Sequence, residues 1–231
     1  MRGVVFAGGE GPEPGALREI ARGAQVLAAA DSGLIACEEA GLRPHWVLGD
    51  MDSLGADGAG GETKRLKKYP AGRVRRFPAD KDFTDTELAL NFLREEGCDE
   101  IWIAGGGGGR IDHLFAIRSL FEREQPPDRW FPGSQEIRCL KEGRVLDGSL
   151  PPGSLVSVFP LAASGPGTDG WEAESSGLKW PLKGLAWERG SFGVSNVALT
   201  GAFEIHSRRG RFMVIMPMCF GKGASDGSSN N

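Results

Sequence analysis

The sequence predicts an α/β protein in which an N-terminal, doubly wound, mostly parallel sheet domain is followed by a C-terminal all-β sandwich or barrel domain. Through about residue 125, short apolar runs alternate with helical patterns, as in a parallel sheet covered by helices. After the run EREQPP at 122–127, short strand-like segments are punctuated by glycine and proline. We therefore expect an α/β domain over 1–125, a β domain over 133–218 and a flexible tail over 219–231.

The first domain contains five apolar segments of strand length, separated by helical patterns. We predict strands at 4–7, 25–30, 45–48, 74–77 and 101–104. One helix ends before Gly41, and another begins after the glycines at 105–109. The helix between them is the best marked, because Thr84-Asp85-Thr86-Glu87 fits a capping box and Gly97 fits a stop.

The second domain is predicted to contain only strands, at regular intervals. They are expected at 136–140, 154–159, 178–182, 192–199, 203–206 and 211–216. Residues 162–176 are expected to form a long loop.

The composition excludes several classes of protein. The balance of 27 Lys and Arg against 31 Asp and Glu gives a net charge of −4, without an evident basic face for a nucleic-acid backbone. Four scattered cysteines form no CxxC pair, so they are expected to be reduced and mostly buried. No run approaches the ~20 apolar residues of a membrane span, and the N-terminus lacks a signal-peptide pattern. We expect a cytoplasmic protein that binds neither nucleic acid nor membrane.

Polar residues gather at the carboxyl ends of four of the predicted strands, where open α/β sheets bind ligands. Asp31-Ser32-Gly33 follows the second strand, GDMDS at 49–53 the third, DKDFTD at 80–85 the fourth, and GGGGGRID at 105–112 the fifth. One such placement would indicate only turns and helix caps. Four in succession predict a binding cleft along this edge.

The acidic clusters are candidate metal ligands. In an extended backbone the side chains of Asp50 and Asp52 point to the same side, so both carboxylates could reach one Mg²⁺ at ~2.1 Å. A tight acidic turn with solvated side chains would have the same sequence pattern. Asp80 and Asp85 belong to a cluster with more acids than a helix cap needs. We therefore assign a metal role to Asp50, Asp52, Asp80 and Asp85.

The glycine run 105–109 suits a polyphosphate. Five glycines are costly in chain entropy, which indicates close approach of the backbone to a ligand or positive φ angles. Neither a Walker A lysine nor a complete GxGxxG pattern is present. Arg110 is the expected phosphate contact, and Asp112 would orient it or hold the nucleotide. His113 is expected to pack or cap locally rather than catalyse.

These motifs, with GLKWPL at 177–182 and GVSN at 193–196, resemble the thiamine pyrophosphokinase (thiamine diphosphokinase) family in order and spacing. The resemblance spans most of residues 1–216. It implies an α/β nucleotide domain, a β domain, Mg²⁺, and a homodimer with active sites between its subunits. The implied reaction is pyrophosphate transfer from ATP to the hydroxyl of thiamine, giving thiamine diphosphate and AMP.

The family pattern also implies a role for each matching residue. The catalytic carboxylates would be Asp50, Asp52 and Asp85, with Asp85 or Asp52 as the proton acceptor. ATP would be bound by Asp31, Ser32, Gly108, Gly109, Arg110 and Asp112. Thiamine would be bound by Lys81, Thr84, Trp180, Ser195 and Asn196. Met51, and Val197 after Asn196, depart from the family pattern, which affects details of the pocket rather than the reaction class.

Two alternatives stay open from the sequence. The chain could be a pterin pyrophosphokinase that makes 6-hydroxymethyl-dihydropterin diphosphate, because a related fold does not fix the substrate. It could also be a non-catalytic sensor of thiamine diphosphate or nucleotide, although such a protein would be expected to lose the acidic cluster, which is present here.

Overall fold

The computed structural model describes residues 1–51, 64–78, 80, 82–161 and 170–220. A central sheet of ten strands runs through both halves of the chain, in the order β11-β9-β13-β7-β6-β5-β1-β2-β3-β4. Strands β1 to β6 pair in parallel, and the remaining pairs of this sheet are antiparallel. The predicted fold class is confirmed: a doubly wound parallel half continues into an antiparallel half.

The parallel half follows the predicted alternation closely. Its elements are β1 (Arg2–Ala7), α1 (Pro14–Ala21), β2 (Val26–Ala30), α2 (Gly33–Glu39), β3 (Trp46–Gly49), β4 (Val74–Arg76), α3 (Asp85–Glu95), β5 (Glu100–Gly105), α4 (Ile111–Leu120) and β6 (Arg129–Phe131). All five predicted strands are confirmed. Helix α1 and strand β6 were not predicted; β6 has only three residues, too few to show a period.

The helices cover both faces of the parallel strands. On one face, Leu17 of α1 and Cys37 of α2 pack with Val4 and Phe6 of β1. On the other face, residues of α3 and α4 pack with the opposite side chains of the same strands, such as Val5 and Ile103. Successive residues of a strand point to opposite faces, so a strand buried on both sides is a continuous apolar run. This is why the pattern of the first half could be interpreted so directly.

The C-terminal half is a sandwich, as predicted. It contains β7 (Gln135–Leu140), β8 (Val145–Ser149), β9 (Leu155–Leu161), β10 (Glu172–Ser176), β11 (Gly193–Val197), β12 (Ala202–Arg209) and β13 (Arg211–Pro217). Strands β10, β12 and β8 form a second, antiparallel sheet. Its Ala173, Phe203 and Ile205 pack against Val156 of β9 and Phe212 of β13 in one core.

Two predictions for this half were wrong. The expected strand at 178–182 is an irregular segment that pairs with the rest of the fold through a single bridge, between Leu178 and Ala198. The expected loop at 162–176 contains strand β10 at its end. The sequence of this strand, EAESS, is mostly polar and has one buried position, so it lacked the apolar pattern of a strand. Residues 162–169 and 221–231 lie outside the described part of the chain.

Candidate active site

The candidate site is a cleft of about 290 Å³ at the carboxyl edge of the parallel strands. The chain proceeds from β1 outward to β4 and then returns to β5 on the other side of β1, so a crevice opens where the direction reverses. The wall of the cleft is formed by the loops after β1, β2 and β5 and by the first turns of α3 and α4. The lining residues are Gly8, Gly9, Ala30, Asp31, Ser32, Thr84, Asp85, Thr86, Gly106, Gly107, Gly108, Gly109, Arg110, His113, Ala116 and Ile117.

Three aspartates at this edge form a compact acidic group. Asp31 follows β2, Asp50 follows β3, and Asp85 is the first residue of α3; one carboxylate oxygen from each lies within 4.8 Å of the other two. Asp31 is buried and has a positive φ of 46°, and its backbone N–H donates to the carbonyl of Leu48 at 2.8 Å. Three converging carboxylates suit a hard divalent cation, which prefers oxygen ligands.

The composition of this acidic group differs from the prediction. Asp50 and Asp85 come together as expected, but the third member is Asp31, which was assigned to ATP. Asp80 is exposed and does not belong to the group. Asp52 lies outside the described residues, as does Lys81. The sequence could not identify Asp31 as a partner of Asp85, because that contact depends on α3 packing across β2 in the folded sheet.

The glycine run after β5 is paired with a second glycine loop after β1, which the sequence analysis missed. The N–H of Gly106 donates to the carbonyl of Gly8 at 3.0 Å, while Glu10 and Gly107 exchange two backbone hydrogen bonds of 2.7 and 2.8 Å. Gly108 and Gly109 have positive φ angles of 60° and 58°. The amides of Gly106 and Gly107 are therefore committed to the fold, so a cradle for phosphate would begin at Gly108.

Arg110 ends this loop and forms an ion pair with Asp112. Its guanidinium donates two hydrogen bonds to the Asp112 carboxylate, at 2.6 and 3.2 Å. The hydrogen bond from Arg110 is the main cause of a lowered pKa for Asp112, and the same contact raises the pKa of Arg110. Both side chains are exposed. The ion pair holds the Arg110 guanidinium at the rim of the cleft. Asp112 therefore orients Arg110, one of the two roles that the sequence suggested for it.

Thr84 caps α3, as predicted. Its hydroxyl accepts a hydrogen bond from the N–H of Glu87 at 3.2 Å. The Glu87 carboxylate is buried and pairs with Arg123, so it is held by the loop after α4. His113 is exposed and lines the cleft, and its backbone N–H donates to the carbonyl of Arg110 at 3.1 Å. The cap thus fixes the first turn of α3, which carries Asp85.

Of the candidate thiamine residues, Thr84 lines the cleft and Lys81 lies outside the described residues. Trp180, Ser195 and Asn196 lie in the C-terminal half and are not among the described residues that line the cleft. The Trp180 side chain is 52% exposed, with Lys179 Nζ 4.6 Å from the centre of its ring system. Asn196 is buried, and its amide bonds both the N–H and the carbonyl of Trp180, at 3.0 and 2.6 Å. Ser195 is exposed, with a φ of 61°. Asn196 therefore fixes the backbone beside Trp180.

Comparisons with known proteins agree with this geometry. Residues 17–127 match the family model for the catalytic domain of thiamin pyrophosphokinase. The chain is 37% identical over 94 residues to the thiamine pyrophosphokinase of Bacillus subtilis (strain 168), an alignment that covers 40% of this chain and 41% of that enzyme. The resemblance inferred from the motifs is thus confirmed for the segment that carries the acidic group and the glycine loop.

Solved structures of similar fold cover nearly the whole chain. The crystal structure of a thiamine pyrophosphokinase from Bacillus subtilis has a TM-score of 0.75 at 23% identity and covers 95% of this chain and 100% of that one. A thiamin pyrophosphokinase from Geobacillus thermodenitrificans has a TM-score of 0.71 at 25% identity, covering 95% and 98%. The sandwich half is therefore part of the shared fold. Within the described residues, no helix has the length and apolar character needed to cross a bilayer.

Proposed function

We propose that this chain, whose residues 17–127 belong to the thiamin pyrophosphokinase catalytic-domain family, transfers pyrophosphate from ATP to the hydroxyl of thiamine and releases AMP. The observation that carries the proposal is the acidic group Asp31, Asp50 and Asp85, two members of which, Asp31 and Asp85, line the same cleft as the glycine loop. Transfer of a pyrophosphoryl group from a nucleotide requires a cation site and a phosphate-binding loop in the same cleft.

The acidic group fits Mg²⁺. Ligands of an octahedral Mg²⁺ lie at about 2.1 Å from the ion, so two of them are up to about 4.2 Å apart. The three carboxylate oxygens, within 4.8 Å of one another, need only small side-chain rotations to meet that geometry. We infer that Asp31, Asp50 and Asp85 hold Mg²⁺, with Asp52 as a further candidate. When bound, the ion neutralises charge on the phosphate oxygens.

The protein's own groups bind, orient and accept a proton. Amides from Gly108 onward and the guanidinium of Arg110 hold the phosphates. The thiamine hydroxyl oxygen forms a bond to the β-phosphorus of ATP, and the bond from that phosphorus to the oxygen bridging to the α-phosphorus breaks. AMP leaves with that oxygen, and the hydroxyl proton passes to a carboxylate, Asp85 or Asp52. Positioning and charge stabilisation provide most of the acceleration in such transfers.

We further propose that thiamine binds between two subunits. Two apolar patches are exposed on one chain: the helix patch of Phe83, Ile111 and Phe115 beside the cleft, and the edge patch of Trp180, Phe192 and Val194 on and next to the edge strand β11. In a two-fold dimer the helix patch of one subunit can cover the edge patch of the other, twice.

Such a dimer would bring Trp180 to the partner's cleft. The thiazolium ring of thiamine is a cation, and an exposed indole attracts it by about 0.5–2 kcal/mol. Ser195 and the backbone that Asn196 fixes would then lie beside the substrate. The functional division into residues 1–125 and 133–218 is part of this proposal, and a cytoplasmic location stays a prediction.

Phosphorus NMR of the purified protein with ATP, Mg²⁺ and thiamine tests the proposal. We expect AMP and thiamine diphosphate to appear together, and a parallel sample with 6-hydroxymethyl-dihydropterin to give no product. ADP with thiamine monophosphate would contradict attack at the β-phosphorus. Turnover of the pterin alone would identify a pterin pyrophosphokinase, and binding without turnover would identify a sensor.

A further inference from the structure

The loop after β1 places a carboxylate directly against the glycine loop after β5. A Cβ atom added to Gly108 would lie 2.1 Å from the carboxyl carbon of Glu10 and 2.4 Å from its Oε1. The Glu10 side chain therefore folds over the point where the phosphate cradle begins. A side chain at position 108 would have to displace it.

The position of Glu10 is fixed by the backbone. Its N–H and its carbonyl both pair with Gly107, at 2.7 and 2.8 Å, in an isolated antiparallel bridge. A residue held from both sides moves with the glycine loop. Its exposed side chain places the carboxylate against Gly108, which lines the cleft.

The Glu10 carboxylate has acceptor capacity that the described residues do not use. No hydrogen bond or ion pair with another described residue involves its oxygens, and the neighbouring cation, Arg110, is paired with Asp112. It does not join the acidic group, which consists of Asp31, Asp50 and Asp85. A carboxylate repels phosphate, so the groups that suit it are neutral hydrogen-bond donors.

The order of the strands indicates which donors these are. The acidic group follows β2 and β3, whereas Glu10 follows β1 and faces the loop after β5. Neighbouring strands are about 4.8 Å apart, so the ends of β1 and β3 are separated by two strand spacings, or about 10 Å, across the edge. A nucleotide with its terminal phosphates at the acidic group would extend toward Glu10 with its sugar.

We propose that Glu10 is a specificity-determining residue that selects ribonucleotides by accepting hydrogen bonds from the vicinal hydroxyls of the ribose. A carboxylate is suited to this because its oxygens can accept from both hydroxyls, as acidic residues do in other nucleotide-binding folds. This inference rests on the proposed function, since it takes ATP to be the nucleotide.

Comparing ATP with 2′-deoxyATP and 3′-deoxyATP tests the inference. With thiamine and Mg²⁺, we expect kcat/KM of the wild type to be about tenfold or more higher for ATP, as for loss of a hydrogen bond to a charged group. In Glu10→Ala this ratio falls to about one through a higher KM for ATP, with kcat retained. Glu10→Gln, which keeps one acceptor oxygen, gives an intermediate ratio.

Glu13→Gln is the matched control, because Glu13 is also exposed, lies in the same loop and makes no capping hydrogen bond with its side chain. It should keep the wild-type ratio. An unchanged ratio in Glu10→Ala, or a wild type indifferent to the deoxynucleotides, would overturn the inference. So would an equal fall in the ratio in Glu13→Gln.

Equilibrium dialysis without thiamine separates this inference from the proposed function. Mg-ADP and Mg-2′-deoxyADP serve as probes for the wild type and for Glu10→Ala. Tighter binding of Mg-ADP that is lost in Glu10→Ala would support the role of Glu10 even if thiamine were not turned over. If thiamine were turned over but Mg-ADP and Mg-2′-deoxyADP bound equally well in dialysis, the proposed enzymatic function would stand and the role of Glu10 would be rejected.

Discussion

Gly49 lies directly against the carboxylate of Asp85. A Cβ atom at Gly49 would be 3.2 Å from Asp85 Oδ1 and 3.2 Å from the Cβ of Asp31, and the φ of Gly49 is 143°. The end of β3 must therefore lack a side chain for two members of the acidic group to approach each other. Gly49 thus sets the spacing of the site although it offers no ligand of its own.

Gly49→Ala is accordingly expected to impair catalysis as well as folding, because a φ of 143° is strained for a residue with a side chain. The methyl group would force the side chains of Asp85 and Asp31 to shift by a few tenths of an ångström, and small displacements at a reacting centre lower the rate. We expect kcat/KM for pyrophosphate transfer to fall at least about tenfold. Gly41→Ala is the control, because Gly41 also has a positive φ, of 72°, but open space around it; it should lower stability by about 1 kcal/mol and leave kcat unchanged. Equal activity of the two variants would contradict the argument.

The acidic group predicts which aspartates control the Mg²⁺ dependence. Asp50→Asn or Asp85→Asn should lower kcat about 100-fold, or about 2.7 kcal/mol in the barrier, and raise the Mg²⁺ concentration required. Asp80→Asn, at an exposed position outside the group, should change either quantity less than about twofold. Initial rates over a Mg²⁺ titration measure both. An Asp80 variant as defective as the Asp50 variant would restore Asp80 as a ligand.

Asn196 is predicted to contribute to stability through its contact with Trp180. Its amide makes three hydrogen bonds while buried, two with the Trp180 backbone and one with the N–H of Val197 at 2.9 Å. Asn196→Ala leaves these backbone groups without their partner and should cost about 2–3 kcal/mol in the free energy of unfolding. Urea denaturation measures this cost. The exposed Ser195→Ala should cost less than about 0.5 kcal/mol; similar losses in both variants would exclude a specific role for Asn196.

Assembly through the two apolar patches is open to a direct test. Phe115→Asp in the helix patch and Phe192→Asp in the edge patch each place a charge on a side chain that is 64% exposed, so neither should prevent folding. Both should produce a monomer by light scattering after size exclusion, because a charge desolvated in an interface is costly. Val145→Asp, in β8 and also exposed, should leave the dimer intact. A wild-type monomer, or a dimer that survives both substitutions, would reject this interface.

The four cysteines are predicted to differ sharply in reactivity. Burial raises the pKa of Cys37 to about 12 and that of Cys139 to about 11, and the pKa of the buried Cys98 is also raised by desolvation. At pH 8, below these values, all three thiols are protonated and unreactive. Cys219 is exposed. A thiol-specific disulfide reagent should therefore modify one cysteine rapidly in the native protein, and Cys219→Ser should abolish that phase; fast modification of two or more would contradict the burial.

Local pattern was sufficient for the parts of the fold that depend on near neighbours in sequence. Thr84 as a cap, the positive φ angles of the glycine run and the five parallel strands are consequences of short-range chemistry, such as hydrogen bonding within one turn and burial on both faces. The expectation that acids and glycines share one edge followed from the parallel order of the strands. The motifs also predicted the family, and residues 17–127 match the family model for the catalytic domain of thiamin pyrophosphokinase.

Only the tertiary structure decided how distant segments meet. Asp31 joins Asp50 because β2 and β3 are neighbours, and Asp85 joins them because α3 packs across these strands. Glu10 meets Gly107 because β5 lies beside β1. In the segment at 178–182, the backbone of Trp180 bonds to a side chain, that of Asn196 sixteen residues away, rather than to a neighbouring strand. The sequence by itself determined which residues could carry the chemistry. The order of the strands, a property of long-range packing, decided which of them share one cleft.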